Sequence, residues 1–154
     1  MRYQSITEEQ WATVTSAAQD AQQLENYAVG LTRRLKALFD DEHPKNSWGV
    51  TFEILEDGTS WRIESPFGVA RARLGIFTSE AGMYGKYAIE RQHKNPEDQP
   101  IWLPVWALHL TLQGMVHPGE EGGEPINLRT SSLTHSDDAI VHLGLSLLYA
   151  LGQE

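Results

Sequence analysis

Cysteine is absent from this 154-residue chain. That excludes disulfides, thiol catalysis and cysteine-ligated zinc, and it suits a reducing compartment. No apolar run is long enough to span a bilayer. Met1-Arg2-Tyr3-Gln4-Ser5 lacks the apolar core of a signal peptide. Soluble, cytoplasmic and not membrane-bound is therefore the expectation. Nucleotide-binding signals are missing as well. There is no Gly-x-Gly-x-x-Gly, no phosphate loop and no Gly-x-Ser-x-Gly elbow. The one glycine-rich stretch, His117 to Pro125, carries Glu120, Glu121 and Glu124, which repel phosphate.

Positive charge is also scarce: 12 Lys and Arg stand against 21 Asp and Glu, a net charge of −9. Residues 1–44 hold 4 basic and 7 acidic residues, giving −3. Residues 45–92 hold 6 and 6, giving zero. Residues 93–154 hold 2 and 8, giving −6. A neutral centre with acidic ends disfavours nucleic acid and favours a basic partner.

What is present is patterning. Val50-Thr51-Phe52-Glu53-Ile54 alternates apolar and polar, as does Thr59 to Glu64, around Asp57-Gly58. Taking that pair as a two-residue type I′ turn sets Ile54 opposite Trp61, Phe52 opposite Ile63 and Glu53 opposite Arg62. Pro66-Phe67-Gly68 breaks this hairpin. A second hairpin, Val69–Phe77 and Tyr84–Gln92, turns at Ser79-Glu80-Ala81-Gly82. It sets Leu74 opposite Tyr87, Ala72 opposite Ile89 and Arg71 opposite Glu90.

Thr7 and Gln10 form a capping-box pattern, with Ile6 and Trp11 placed as a hydrophobic staple. A helix is expected from Glu8 to about Asp40. Ala17, Ala21, Leu24, Ala28, Leu31, Leu35 and Leu38 repeat as a heptad seam along it. Such a helix is about 50 Å long at ~1.5 Å per residue, more than a short-stranded sheet covers. The seam either lies across the chain's own sheet with the last helix beside it or meets a second chain in part, which makes Leu24, Leu31, Leu35 and Leu38 candidate partner contacts. Ile101 to Val116 fits a fifth strand, with Trp106, Leu108, Leu110 and Leu112 inward; a helix entered at Pro104 is the alternative. Ile126 to Thr130 suits a short sixth strand beside it. Ser136 suits the N-cap of a last helix whose apolar residues cover more than one stripe, hence a buried one. The expectation is one α+β domain over residues 1–154: a long N-terminal helix, an antiparallel sheet of 4–6 strands with two consecutive hairpins at its centre, and a buried C-terminal helix.

Candidate chemistry is thin. His109-Leu110-Thr111-Leu112 resembles half of the signature of the 2H phosphoesterases, which use two His-x-Thr/Ser tetrapeptides as acid and base. The resemblance would make His109 and Thr111 catalytic in a sheet–helix pocket. None of the other five histidines has Ser or Thr two residues on. His135 with Asp137, Asp138 and His142, and His117 with Glu120 and Glu121, lack metal-ligand spacing, so no metal and no cofactor is expected. Arg62, Arg71, Arg73, Lys86 and Arg91 near Tyr84 suggest a basic sheet face, but the register gives Arg62 and Arg71 to glutamates. Of five tryptophans, Trp61 belongs to the core, while Trp48, Trp102 and Trp106 fall at strand ends. Trp102 and Trp106, with Glu120, Glu121 and Glu124, join the helix seam as candidate partner contacts. In size, acidity and element order the chain is similar to small dimeric secretion chaperones and acidic immunity or inhibitor proteins. That resemblance implies a non-catalytic protein-binding module, acting on a basic protein or on itself as a homodimer.

Overall fold

The computed structural model describes residues 4–119, 125–128 and 133–153, with side chains from Ala139 onward in the last segment. Glu8–Thr15 forms α1 and Ala17–Asp40 forms α2. Seven strands follow: β1 Thr51–Ile54, β2 Trp61–Ser65, β3 Gly68–Ser79, β4 Gly82–Lys94, β5 Pro100–Thr111, β6 Met115–Pro118 and β7 Ile126–Asn127. Leu133–Leu151 forms α3. The strands make one curled antiparallel sheet whose spatial order is the chain order. The α+β class holds, with seven strands among the described residues rather than 4–6.

The expected helix is interrupted at Ser16. The Thr7–Gln10 capping box opens α1 as the sequence indicates. Ser16 Oγ then donates to the Ala12 carbonyl, 3.1 Å, and meets Asp20 Oδ2 at 2.8 Å. A serine side chain that competes for carbonyls in this way weakens the helix. No residue of α1 is buried, and the staple pair stays in solvent, Ile6 53% and Trp11 63% exposed. α2 is different: Leu24, Ala28, Leu31, Leu35 and Phe39 are fully buried against the sheet's inner face.

Both central registers are those the alternation dictates. The first turn is not type I′. Asp57 does not adopt positive φ, whereas Gly58 does, at 76°. Leu55 N–H bonds Ser60 O at 2.9 Å, so the loop spans Glu56 to Thr59 and shares its centre with the expected two-residue turn. The Asp57 carboxylate fastens it, accepting from Thr59 N–H (3.0 Å), Ser60 N–H (2.7 Å) and Ser60 Oγ (2.6 Å). Partial burial works against the charged carboxylate, but these bonds outweigh it and hold the pKa below its ordinary value. The carboxylate's contribution to stability is then present above the ordinary aspartate pKa of 3.8 and lost as pH falls through the lowered value. Asp57→Ala should cost about 1 kcal/mol near neutral pH. Denaturant titrations should show the gap between variant and wild type closing in acid.

The next two turns share one device. Ser65-Pro66-Phe67-Gly68 and Ser79-Glu80-Ala81-Gly82 each use the serine Oγ to donate to the glycine carbonyl and to accept the N–H two residues on. Both glycines take positive φ, 112° and 108°. Glu53 does stand opposite Arg62, but the ion pair Arg62 makes is with Glu64 on its own strand, at 3.6 Å.

Residues 101–116 form strand, as the alternation indicates, but in two pieces that turn at Gly114 (φ 79°). β6 pairs with β5, and β7 pairs with β6 rather than with β5. Trp48 is not at a strand start. It closes a short π-helical turn, Pro44–Trp48, with its ring edge-on to Phe39 at 6.3 Å.

Inner-face residues Phe52, Trp61, Ile63, Ala70, Ala72, Tyr87, Ile89, Leu108 and Leu110 meet α2 and one stripe of α3: Ile140, Leu143, Leu147 and Leu151. α3 starts at Leu133, so Ser136 lies inside its first turn instead of capping it. Arg91 holds its other end, Nη1 donating to the Leu151 carbonyl at 2.8 Å, a cation placed where the helix dipole is negative.

Candidate functional site

Every strand pair leaves odd and even residues on opposite faces, so the register sorts the candidate residues. Leu24, Leu31 and Leu35 are fully buried in their own core, and Leu38 is partly buried beside it. The apolar seam of α2 is thus closed by this chain's sheet and α3, and it offers no free stripe to a second chain. Trp102 lies on the outer face, where Arg71 sits over its ring at 4.2 Å. Arg71 and Arg73 both reach Glu90 Oε1, at 3.0 and 3.3 Å. Two of the outer-face cations are therefore already engaged. Glu120, Glu121 and Glu124 lie outside the described residues.

His109 also lies on the outer face, directly opposite His117 and with its ring 5.9 Å from that of Tyr84. Tyr84 in turn meets Phe77 at 5.8 Å, so an aromatic row crosses β3 to β5. Thr111 Oγ1 accepts the Met115 N–H at 3.1 Å. Its hydroxyl holds the turn between β5 and β6. His109 lines none of the principal grooves. Among the described residues, no three His, Asp or Glu side chains converge as metal ligands.

A groove forms at Trp106 instead. β6 pairs only with Leu108, His109 and Leu110, so the first half of β5 has no strand on that side. The register of β4 and β5 shifts between Ile89 and Glu90, passing over Val105. Such a bulge kinks the strand and re-aims its side chains. Val105 and Trp106 form one wall, and Leu145, Tyr149 and Ala150 of α3 form the other, enclosing about 530 Å³. No Asp, Glu, Lys or Arg lines it, and His142, Ser146 and Gln153 supply its polar groups. Tyr149 is 72% exposed and Leu145 43%. The expected burial of α3 thus holds for one stripe only. This second stripe was visible in the sequence, since Leu145 falls off the Ile140–Leu143–Leu147–Leu151 spacing, but surplus apolar residues alone do not say which stay in solvent. The wall on β5 depends on the bulge, which alternation does not reveal.

No family model, no curated protein and no solved structure matches this chain. No helix among the described residues is long and apolar enough to cross a membrane.

Proposed function

We propose that the chain is a non-catalytic protein-binding module whose docking site is the groove between β5 and α3. One observation carries the reading: Tyr149 and Leu145 present a large apolar surface to water beside Val105 and Trp106, with no charge among them. Exposed aromatic and aliphatic side chains around a concavity are the usual anchors of a protein interface. The occupant is an amphipathic segment of another protein, apolar where it meets the groove and basic on its flanks. The charge supports this, because both walls belong to residues 93–154, which carry −6. A cytoplasmic location belongs to the same reading, a cysteine-free chain being compatible with a reducing compartment. Nucleic acid is disfavoured, Arg71 and Arg73 being held by Glu90.

The test is selection from a displayed random-peptide library on the wild-type chain and on Leu145→Asp/Tyr149→Ala. Both positions are exposed, so the double variant should keep its fold and melting temperature. Wild type should enrich peptides with apolar residues between Lys or Arg, and the variant should bind them at least about 30-fold more weakly, the loss of a hot spot. No convergent enrichment, or equal binding by the variant, sinks the reading.

A further inference from the structure

Antiparallel sheets end in strands whose outward N–H and C=O groups invite another strand, and proteins guard such edges by shortening, proline, bulges or capping charges. Three of the edges here are guarded. β1 has four residues, and Lys36 Nζ from α2 donates to its Phe52 carbonyl at 2.8 Å. β7 has two residues. The open half of β5 carries Pro100, Pro104 and the bulge at Val105.

The fourth edge has none of these devices. β2 pairs with β3 only as far as Ala72, while β3 runs on to Ser79 paired with β4 alone. Past Trp61 the chain leaves β3 and turns inward, where Thr59 O accepts from the Tyr87 hydroxyl at 2.6 Å. Arg73-Leu74-Gly75-Ile76-Phe77-Thr78-Ser79 is left as an edge with no proline, no lysine and no bulge. The two-residue hairpin turn makes Ser79 and Gly82 a hydrogen-bonded pair, so the odd residues of β3 bond to β4. Leu74, Ile76 and Thr78 direct their N–H and C=O outward. Among the described residues, no turn, cap or side-chain bond reaches those groups.

We propose that this edge is a homodimer interface: β3 pairs antiparallel with β3 of a second copy about a two-fold axis at Ile76. That centre alone engages all three open residues. Ile76 meets Ile76 of the partner subunit, and Leu74 meets Thr78 of the partner subunit. Every outward N–H and C=O then has a partner, and the two sheets become one. The side chains fit the same centre. Phe77, 48% exposed in the lone chain, folds its ring back over its own Gly75, which falls opposite Phe77 of the partner subunit, so the two rings come together beside the two-fold axis. The charges select the direction. Arg73, which touches Glu90 on one side yet keeps 61% of its side chain exposed, lies at one end of the segment and Glu80 just past the other. Antiparallel pairing brings each Arg73 beside the opposite Glu80, whereas parallel pairing stacks Arg73 on Arg73. The contact is isologous and closed. It uses neither α2 nor the groove, so it stands independently of the function proposed above.

Sedimentation and light scattering of the full chain should give twice 17.3 kDa, dissociating on dilution. Thr78→Pro removes an outward N–H at an exposed position and leaves the β4 ladder intact. It should weaken dimerisation at least tenfold without changing the circular dichroism. A spin label at Ala81→Cys, in a chain with no other cysteine, gives a second readout. Antiparallel pairing places the two labels about 30 Å apart, and parallel pairing makes them adjacent. A wild-type monomer at the highest soluble concentration overturns the proposal and leaves the edge to a strand of a different protein. A dimer unaffected by Thr78→Pro, or adjacent labels, overturns it too.

Discussion

Leu31→Ala and Leu35→Ala should each lower the unfolding free energy by about 2–5 kcal/mol, whatever the protein concentration. Both side chains are fully buried between the inner face of the sheet and α3, alongside Leu24, Ala28 and Phe39. Truncation removes their transfer free energy and leaves a cavity that a rigid sheet is slow to fill. The independence from concentration is the diagnostic part. The β3 dimer makes the midpoint of unfolding itself rise with concentration, so the reading is the variants' deficit: constant where the seam is internal, and growing with concentration, as the substitutions flatten that rise, were the seam an interface between chains. Chemical denaturation over a wide concentration range reads both quantities. A loss below about 1 kcal/mol for both variants would mean that α2 does not pack as described.

A comparable effect is expected at Trp61. It is the fourth ring of an aromatic file that runs Trp48, Phe39, Phe52, Trp61, Tyr87, with neighbouring centroids 5.0–6.3 Å apart. Trp61→Ala should cost about 3–5 kcal/mol. Trp61→Phe should cost no more than about 1.5 kcal/mol, although it removes an entire ring. The reason is the indole Nε1, which is buried without a hydrogen-bond partner. Phenylalanine loses some packing but also removes a desolvated donor, and the two changes offset. The contrast between the variants is the measurement. Equal losses would show that the indole N–H is satisfied in solution.

Tyr87 completes the file from its polar end. Its hydroxyl donates to Thr59 O and lies 3.1 Å from Thr32 Oγ1, which is itself 2.7 Å from the Ala28 carbonyl. Burial, reinforced by the Asp57 charge and only partly relieved by Thr32, pushes the phenol's pKa far above its ordinary value, so it stays neutral and donates. The first hairpin's loop is thereby tied to the middle of α2.

How much of this was legible in the sequence depends on which interactions are local. The hairpin registers were, because alternation and turn position fix them together: Phe52–Ile63 and Leu74–Tyr87 follow from spacing alone. The form of the first turn was not, because Asp57 uses its carboxylate to build the loop in place of a left-handed backbone. The break at Ser16 was not legible, because the Thr7–Gln10 capping box marks a helix start at Glu8, while the heptad seam starts only at Ala17, one residue past the break. That pattern marks which face of a helix is apolar and is silent on what covers it. So Leu24, Leu31 and Leu35 were legible as buried, with the chain's own sheet and a second chain both open as their cover, and the structure supplies the sheet. The split of β5 from β6 was hidden likewise, since Leu112 extends the alternation into the turn. The groove at Tyr149 needs the bulge at Val105 and the lie of α3 together, and both are set by contacts distant in sequence.

The order of the strands bears on how quickly the molecule assembles. Each strand pairs with the one before it, so the sheet can zip up from any hairpin without first bringing remote parts of the chain together. Loop-closure entropy then burdens only the docking of the flanking helices. Refolding should accordingly be quick for a protein so rich in β-structure, with a folding arm that slows when a central hairpin is weakened and barely responds to changes in α1.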